Sequence, residues 1–106
     1  MREVKLILST TGSREEAQRI AHALVEQQLA ACVNIIGPFQ SVYRWQEKVE
    51  SAEEFLLLIK TTALGCPKVQ ARLLEFHSYE LPEIVEVNVE GGSDAYLKWI
   101  SDSVKL

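Results

Sequence analysis

The sequence feature that most constrains the fold is an uninterrupted apolar run near the middle of the chain. Residues 55–59 read FLLLI, and the charged residues Glu54 and Lys60 bound them. Successive side chains of a strand point to opposite faces of a sheet, so this run presents apolar groups to both faces. It therefore predicts a central strand that has to be covered on both sides.

Shorter apolar or alternating segments predict the other strands. Gly37-Pro38 and Gly91-Gly92 are turn signals at the ends of two of these segments. Side chains alternate along residues 40–50, which is typical of one long strand. The predicted strands are residues 4–8, 31–36, 40–50, 55–59 and 84–89.

Three helices are predicted around these strands. The first begins at Ser13, which forms a capping-box pattern with Glu16, and ends near residue 29. The second carries apolar residues at i, i+4 and i+7, counted from residue 69. A short closing helix follows Ser93. The element order is then β-α-β-β-β-α-β-α, in which the second and third strands are either one bent strand or a hairpin.

With those two strands merged, the order is that of the α+β, ferredoxin-like βαββαβ arrangement plus a C-terminal helix. This class packs two helices on one face of an antiparallel sheet and leaves the other face bare. Exposed apolar patches on monomers rarely exceed a few hundred Å². We therefore expect a homo-oligomer, or else the terminal helix, to cover the second face. Residues 1–106 leave no room for a second domain, so we predict a single domain.

Charge and cysteine content argue against several classes. The formal net charge is -4, and the 11 basic residues are scattered among 15 acidic ones, so no basic stripe for a nucleic acid is present. No apolar run is long enough to span a bilayer and no segment resembles a signal peptide, so we expect a cytoplasmic protein without a membrane partner. Cys32 and Cys66 lie far apart, which disfavours a disulfide or a structural zinc site.

Known functions of the ferredoxin-like class find little support in these residues. The central strand has no aromatic side chains on which RNA bases would stack. The loop after the first strand has no paired thiols for a soft metal ion. No segment matches a common catalytic motif, so we expect no enzymatic activity.

The segment richest in side chains that can bind a metal ion or exchange a proton is HSYELPE, residues 77–83. It combines the imidazole of His77 and the phenol of Tyr79 with the carboxylates of Glu80 and Glu83. One interpretation is a helix C-cap, because a cationic histidine stabilises a helix C-terminus. The other is a metal or small-ligand site built from imidazole and carboxylate groups.

The two cysteines and two aromatic residues can also be interpreted as either structural or functional residues. Cys66 lies at a predicted helix start, where a thiolate would be favoured, but a packed thiol is the more common case. Cys32 in its strand is interpreted as a small core residue. Tyr43 and Trp45 share one strand face, where they either pack or anchor an oligomer interface.

Five segments together resemble one family. They are LAACVNI at 29–35, SVYRW at 41–45, EE at 53–54 leading to KTT at 60–62, HSYELPE at 77–83 and YLKW at 96–99. Their order and spacing are similar to those of the CutA divalent-cation tolerance family, and they span nearly the whole chain.

The resemblance implies a tight homotrimer whose long hairpin strands pair between subunits, with an architecture like that of PII signalling proteins. It also implies a cytoplasmic, non-enzymatic protein linked to tolerance of divalent cations such as copper. The metal candidates are His77, Glu80 and Glu83 of the HSYELPE segment, and only Glu83 matches the ligand set proposed for the family. The candidates for a ligand pocket or subunit interface are Cys32, Tyr43, Trp45, Lys60, Tyr79, Tyr96 and Trp99.

The chain departs from the family pattern at four positions. Family members with a proposed copper site can carry cysteine and histidine where this chain has Ser9 and Phe76, so we expect copper binding to be weak. Glu47 replaces a glycine, which argues against a turn of positive φ there or else strains it. Ser78 replaces the proline of the H-P-Y-E motif.

Two alternative roles stay open. One is a PII-like module that senses a small anionic ligand through Lys60, whose ammonium requires an anionic partner such as Glu83 or the ligand itself. The other is a divalent-metal binder that uses His77 with Glu80 or Glu83.

Overall fold

The computed structural model describes residues 3–106, which form one antiparallel sheet and three helices. The sheet order is β2-β3-β1-β4, and every neighbouring pair is antiparallel. This arrangement confirms the predicted α+β, ferredoxin-like class. The elements are β1 (Val4–Thr11), α1 (Arg14–Glu26), β2 (Cys32–Trp45), β3 (Lys48–Thr62), α2 (Cys66–Phe76), β4 (Val85–Asn88) and α3 (Asp94–Ser103).

The main core lies between α1, α2 and the first face of the sheet. Leu57 and Ile59 of the apolar run point into it and are fully buried. Their burial against the two helices follows from the alternation of side chains along β3. Each such side chain stabilises the fold by about 1.5–3 kcal/mol relative to an exposed one. The fully buried partners from the other elements are Ile7, Ile20, Leu24, Val69 and Leu73.

The opposite face of the sheet, which we call the second sheet face, is covered only at one end. There α3 packs Ile100 against Val4 and Ala31. Much of the rest of this face consists of apolar side chains that are partly exposed, and Ile36 reaches 49% exposure. They are Leu6, Leu8, Ile36, Leu56, Leu58, Val85 and Val87, which the strand pairing places on one face. The prediction of a central strand with two apolar faces is therefore confirmed, and one chain covers only one of them.

The prediction of a single strand over residues 40–50 is wrong, because the chain reverses at Gln46 and Glu47. Both residues have positive φ, 49° and 69°, as in the type I′ turns that match the twist of a two-stranded hairpin. Trp45 and Lys48 pair directly across this turn. A two-residue turn leaves the alternation on both sides unchanged, so the pattern alone did not reveal the reversal. Of the two alternatives for Glu47, the strained turn of positive φ is the one observed.

The predicted turn at Gly37-Pro38 is also absent, since β2 continues through it with a register shift between Ile36 and Phe39. Gly37 has a φ of 145°, and a Cβ there would lie 2.9 Å from the carbonyl oxygen of Glu54. Only glycine fits this close approach without strain. The second and third predicted strands are therefore one bent strand as far as Trp45.

Beyond this bend, residues 39–54 form a hairpin that projects from the sheet. The β1–β3 ladder ends at the pair Thr11 and Phe55, so the strands of the hairpin pair only with each other within the described chain. The molecule is accordingly elongated, with extents of 45 × 25 × 21 Å. The long edge of β2 is left open, and open strand edges are natural sites of pairing with another chain.

Helix α1 begins as predicted and ends slightly earlier than predicted. The Ser13 hydroxyl accepts a hydrogen bond from the Glu16 amide at 3.1 Å, as an N-cap does. The last residue of α1 is Glu26, because Gln28 adopts a left-handed φ of 60° that turns the chain toward β2.

Replacing the strained turn residue tests the hairpin geometry. Glu47→Gly is expected to raise the free energy of unfolding by about 0.5–1 kcal/mol, because glycine adopts positive φ without steric cost. Urea denaturation measures the change. The control is Glu50→Gly in β3, which is expected to lower stability by about 0.5–1 kcal/mol. A loss of stability in both variants would contradict the turn.

Candidate functional site

A recess with convergent polar groups lies between the hairpin and the loop that joins α2 to β4. It is an open groove of about 750 Å³. We call it the acidic groove, and its polar and aromatic side chains are Tyr43, Trp45, Glu54, Tyr79, Glu80 and Glu83. Tyr43 and Trp45 enter it from the hairpin because they lie two residues apart in β2 and share one face.

Glu54 forms the floor of the acidic groove. It is only 8% exposed, and its Oε2 accepts a hydrogen bond of 2.8 Å from the Tyr79 hydroxyl. Burial, together with this bond to a carboxylate, raises the pKa of Tyr79 well above its usual range. The phenol therefore stays protonated and keeps donating to Glu54, which ties the 77–84 loop to the hairpin.

His77 lies behind Tyr79 with its side chain fully buried. The Tyr79 amide donates to Nδ1 at 3.0 Å, so Nε2 carries the ring proton and donates to the Thr10 carbonyl at 2.6 Å. Both ring nitrogens are thus engaged in hydrogen bonds. The backbone of His77 also ends α2, because its amide donates to the Leu73 carbonyl, so the predicted helix C-cap position is confirmed.

Glu16 is a buried residue of this region that the sequence interpretation missed. Its carboxylate accepts the Ser78 amide at 2.8 Å and the Ser78 hydroxyl at 3.1 Å. The capping-box interpretation had assigned this side chain to the start of α1 instead. The sequence signal for this contact was Ser78. It supplies a backbone N–H and a hydroxyl at a position where the resembled motif has proline, which has no N–H to donate.

The predicted metal candidates do not converge on one point. Glu80 and Glu83 line the acidic groove, whereas His77 is engaged behind Tyr79. Among residues 3–106, no three histidine, cysteine or acidic side chains are grouped so as to hold a metal ion. Ser9 is fully buried, and its hydroxyl has no hydrogen-bond partner among residues 3–106.

The other predicted ligand residues form a separate cluster on the second sheet face. Lys60 donates to the Tyr96 hydroxyl at 3.0 Å rather than pairing with Glu83, and this bond raises the pKa of Lys60. Cys32, half-buried, pairs with Lys60 across the strands, and Trp99 lies 5.4 Å from the Tyr96 ring. Lys60 is six positions from Glu54 along β3, or about 20 Å at 3.3 Å per residue.

Cys66 is a packed thiol, so the more common of its two interpretations is confirmed. It is the first residue of α2 and is 2% exposed. Burial raises the pKa of the Cys66 thiol to about 11, so the field of the helix N-terminus does not produce a thiolate at neutral pH.

These features define a class: small α+β proteins with a ferredoxin-like sheet, a projecting β2–β3 hairpin and a groove beside that hairpin. The chain belongs to the family described as CutA1 divalent ion tolerance protein, which it matches over residues 5–103. The predicted family is therefore confirmed. No helix within residues 3–106 is long and apolar enough to cross a membrane.

Individual relatives agree with this assignment. The chain is 47% identical over 99 residues to the divalent-cation tolerance protein CutA of Thermus thermophilus, covering 93% of this chain and 96% of that one. A solved structure of that tolerance protein has a TM-score of 0.94 and covers 96% of this chain and 99% of its own. A structure from Archaeoglobus fulgidus, named as a periplasmic divalent cation tolerance protein, has a TM-score of 0.93 at 39% identity. The match covers 96% of this chain and 99% of the Archaeoglobus chain.

Substitution of Ser78 tests the buried contact with Glu16. Ser78→Pro removes both donors and is expected to lower the free energy of unfolding by about 1–3 kcal/mol, because a buried carboxylate loses its hydrogen bonds. Ser78→Ala keeps the amide and should cost clearly less. In a Glu16→Ala background the Ser78→Pro effect should shrink, as a double-mutant cycle measures by urea denaturation. An unchanged effect in that background would show that the two residues are not coupled.

Proposed function

We propose that the chain is a cytoplasmic, non-enzymatic homotrimer that takes part in the response to divalent cations. The family match supports the link to divalent cations. The absence of any catalytic motif in the sequence, and the names of the relatives, which describe tolerance and not a reaction, support a non-enzymatic role.

The observation that carries the proposed assembly is the second sheet face. Leu56, Leu58 and their apolar neighbours remain partly exposed after α3 has packed. Burying such side chains contributes about 25 cal/mol per Å² of apolar surface removed from water. A cyclic trimer repeats one contact around its axis and closes, so each copy covers its neighbours without leaving a free patch. The open strand edges of the projecting hairpin support pairing between subunits in a PII-like arrangement.

The cation role is assigned to the acidic groove. Glu80 and Glu83 offer exposed carboxylates to a divalent ion, and His77 orients the loop that carries them. Because both imidazole nitrogens are engaged, and because Ser9 and Phe76 replace softer ligands, we expect copper to bind weakly.

A PII-like role in sensing an anion is the second candidate, and Lys60 favours it. Its ammonium lies on the second sheet face, next to the Tyr96 ring, and pairs with no carboxylate of the described chain. A subunit contact at this face would enclose the ammonium, and an enclosed cation favours an anionic ligand.

The assembly predicts a mass of about 36 kDa by light scattering, three times the chain mass of 12.0 kDa. Leu58→Lys places a charge on the second sheet face and is expected to lower the measured mass toward that of one chain. The control is Leu74→Lys on the outer side of α2, where the leucine is already 64% exposed and the substitution should leave the mass unchanged. A 12.0 kDa species for the unmodified chain would refute the trimer.

Calorimetric titration distinguishes the two ligand roles. The cation role predicts weak Cu²⁺ binding that falls about fivefold in Glu80→Gln/Glu83→Gln. The same binding should be largely retained in His77→Gln, provided that this variant folds. The anion role predicts instead binding of a nucleotide or an organic acid that Lys60→Ala abolishes. Tight Cu²⁺ binding that disappears only in His77→Gln would contradict the assignment to the carboxylates.

A further inference from the structure

The two ends of the second sheet face carry opposite charges. Side chains of a strand alternate between its faces, so the β3 residues that share this face are Glu54, Leu56, Leu58 and Lys60. Lys60 lies at the end where α3 packs, and Glu54 lies about 20 Å away at the acidic groove. At that separation the charges at the two ends do not neutralise each other within one chain.

The cationic end lacks a counter-ion. The Lys60 ammonium donates to the Tyr96 hydroxyl at 3.0 Å and lies 5.4 Å from the centre of the Tyr96 ring. The ion pairs within residues 3–106 do not include Lys60. The phenol therefore holds the ammonium in place without neutralising it. When a subunit contact removes such an ammonium from water, a carboxylate beside it offsets part of the desolvation cost.

The acidic end lacks a cation. Glu80 and Glu83 are exposed and line the acidic groove. Neither carboxylate is in an ion pair within residues 3–106, and no lysine or arginine of this part of the chain lines the groove. Like charges on one surface repel each other, so an ammonium group from outside the chain stabilises this end. A second copy of the chain carries such a group at Lys60.

Aromatic side chains accompany the charges at both ends. Tyr43 and Trp45 line the acidic groove and are partly exposed. Tyr96 and Trp99, also partly exposed, lie at the cationic end with their ring centres 5.4 Å apart. Aromatic residues are enriched in the cores of protein–protein interfaces and frequently anchor them. A contact that joins opposite ends of two copies buries rings from both.

We propose that Lys60 of one copy pairs with Glu80 and Glu83 of the next copy, so that neighbouring copies meet head to tail. Each copy then covers the acidic end of one neighbour and offers its own acidic end to another, which is the contact that closes a ring. The inference rests on the proposed homotrimer and adds the residues that orient its subunits. It gives Lys60 a carboxylate partner in place of a small anion. A divalent ion at Glu80 and Glu83 then has to displace Lys60, in accord with the weak binding expected.

Charge reversal tests the pairing by sedimentation equilibrium of the full-length protein over roughly 1 to 100 µM. Lys60→Glu places like charges at the contact, and so does Glu80→Lys/Glu83→Lys. Each is expected to raise the concentration at which half of the chains are associated by at least about tenfold. The two reversals combined in one chain restore opposite charges, and association should return to within about threefold of the unmodified protein. Circular dichroism of each variant checks that it is folded.

Matched controls reverse charges on the helical side of the molecule. Lys68→Glu on α2 and Glu26→Lys on α1 alter exposed positions away from the second sheet face and should leave association unchanged. Retention of the unmodified mass by both reversals at Lys60 and the groove, while Leu58→Lys dissociates the assembly, would overturn the pairing but not the trimer. An equal loss in the controls, or no restoration in the combined variant, would also overturn it. A single-chain mass for the unmodified protein would refute the trimer and the pairing together.

Discussion

The rest of the structure depends on one constraint: the central strand is apolar on both faces. The three helices of residues 3–106 cover one face and only one end of the other. Helices α1 and α2 are both used on the first face, where Leu57 and Ile59 are fully buried. Helix α3 reaches only one end of the second face. The partly exposed leucines of β1 and β3 are therefore a consequence of the topology, and a contact between copies of the chain would bury them fully.

A further constraint fixes the geometry of the acidic groove. The 77–84 loop has no regular secondary structure, and partly buried polar contacts hold it against three elements. His77 binds the end of β1 through Thr10, Ser78 binds α1 through Glu16, and Tyr79 binds β3 through Glu54. These bonds are partly buried, and a polar group that loses its partner costs more there than at the open surface. They explain why His77 acts as a structural residue here, whereas Glu80 and Glu83 line the acidic groove.

Much of the fold could be predicted because its signals are local. The FLLLI run, the capping residue Ser13 and the helical spacing in α2 each led to the correct element. The hairpin turn was not predictable in this way, because Glu47 occupies a position where glycine would have marked it.

The residues of the acidic groove were predictable in part. Tyr43, Trp45, Tyr79, Glu80 and Glu83 were named as candidates from the sequence, and the structure places all five along one groove. Glu16 was missed because it matched a capping pattern. Glu54 was missed because its place beside an apolar run is typical of the polar flank of a strand, and its burial arises only when the 77–84 loop packs over it.

The central claim is that the second sheet face is covered by other copies of the same chain. The dependence of the thermal unfolding midpoint on protein concentration tests it most directly, because association stabilises a folded state by mass action. The account predicts a midpoint that rises steadily as the concentration increases from roughly 1 to 100 µM, with one transition in which the copies dissociate and unfold together. A midpoint that stays constant over this range, for a protein that sediments as a single chain, would contradict it.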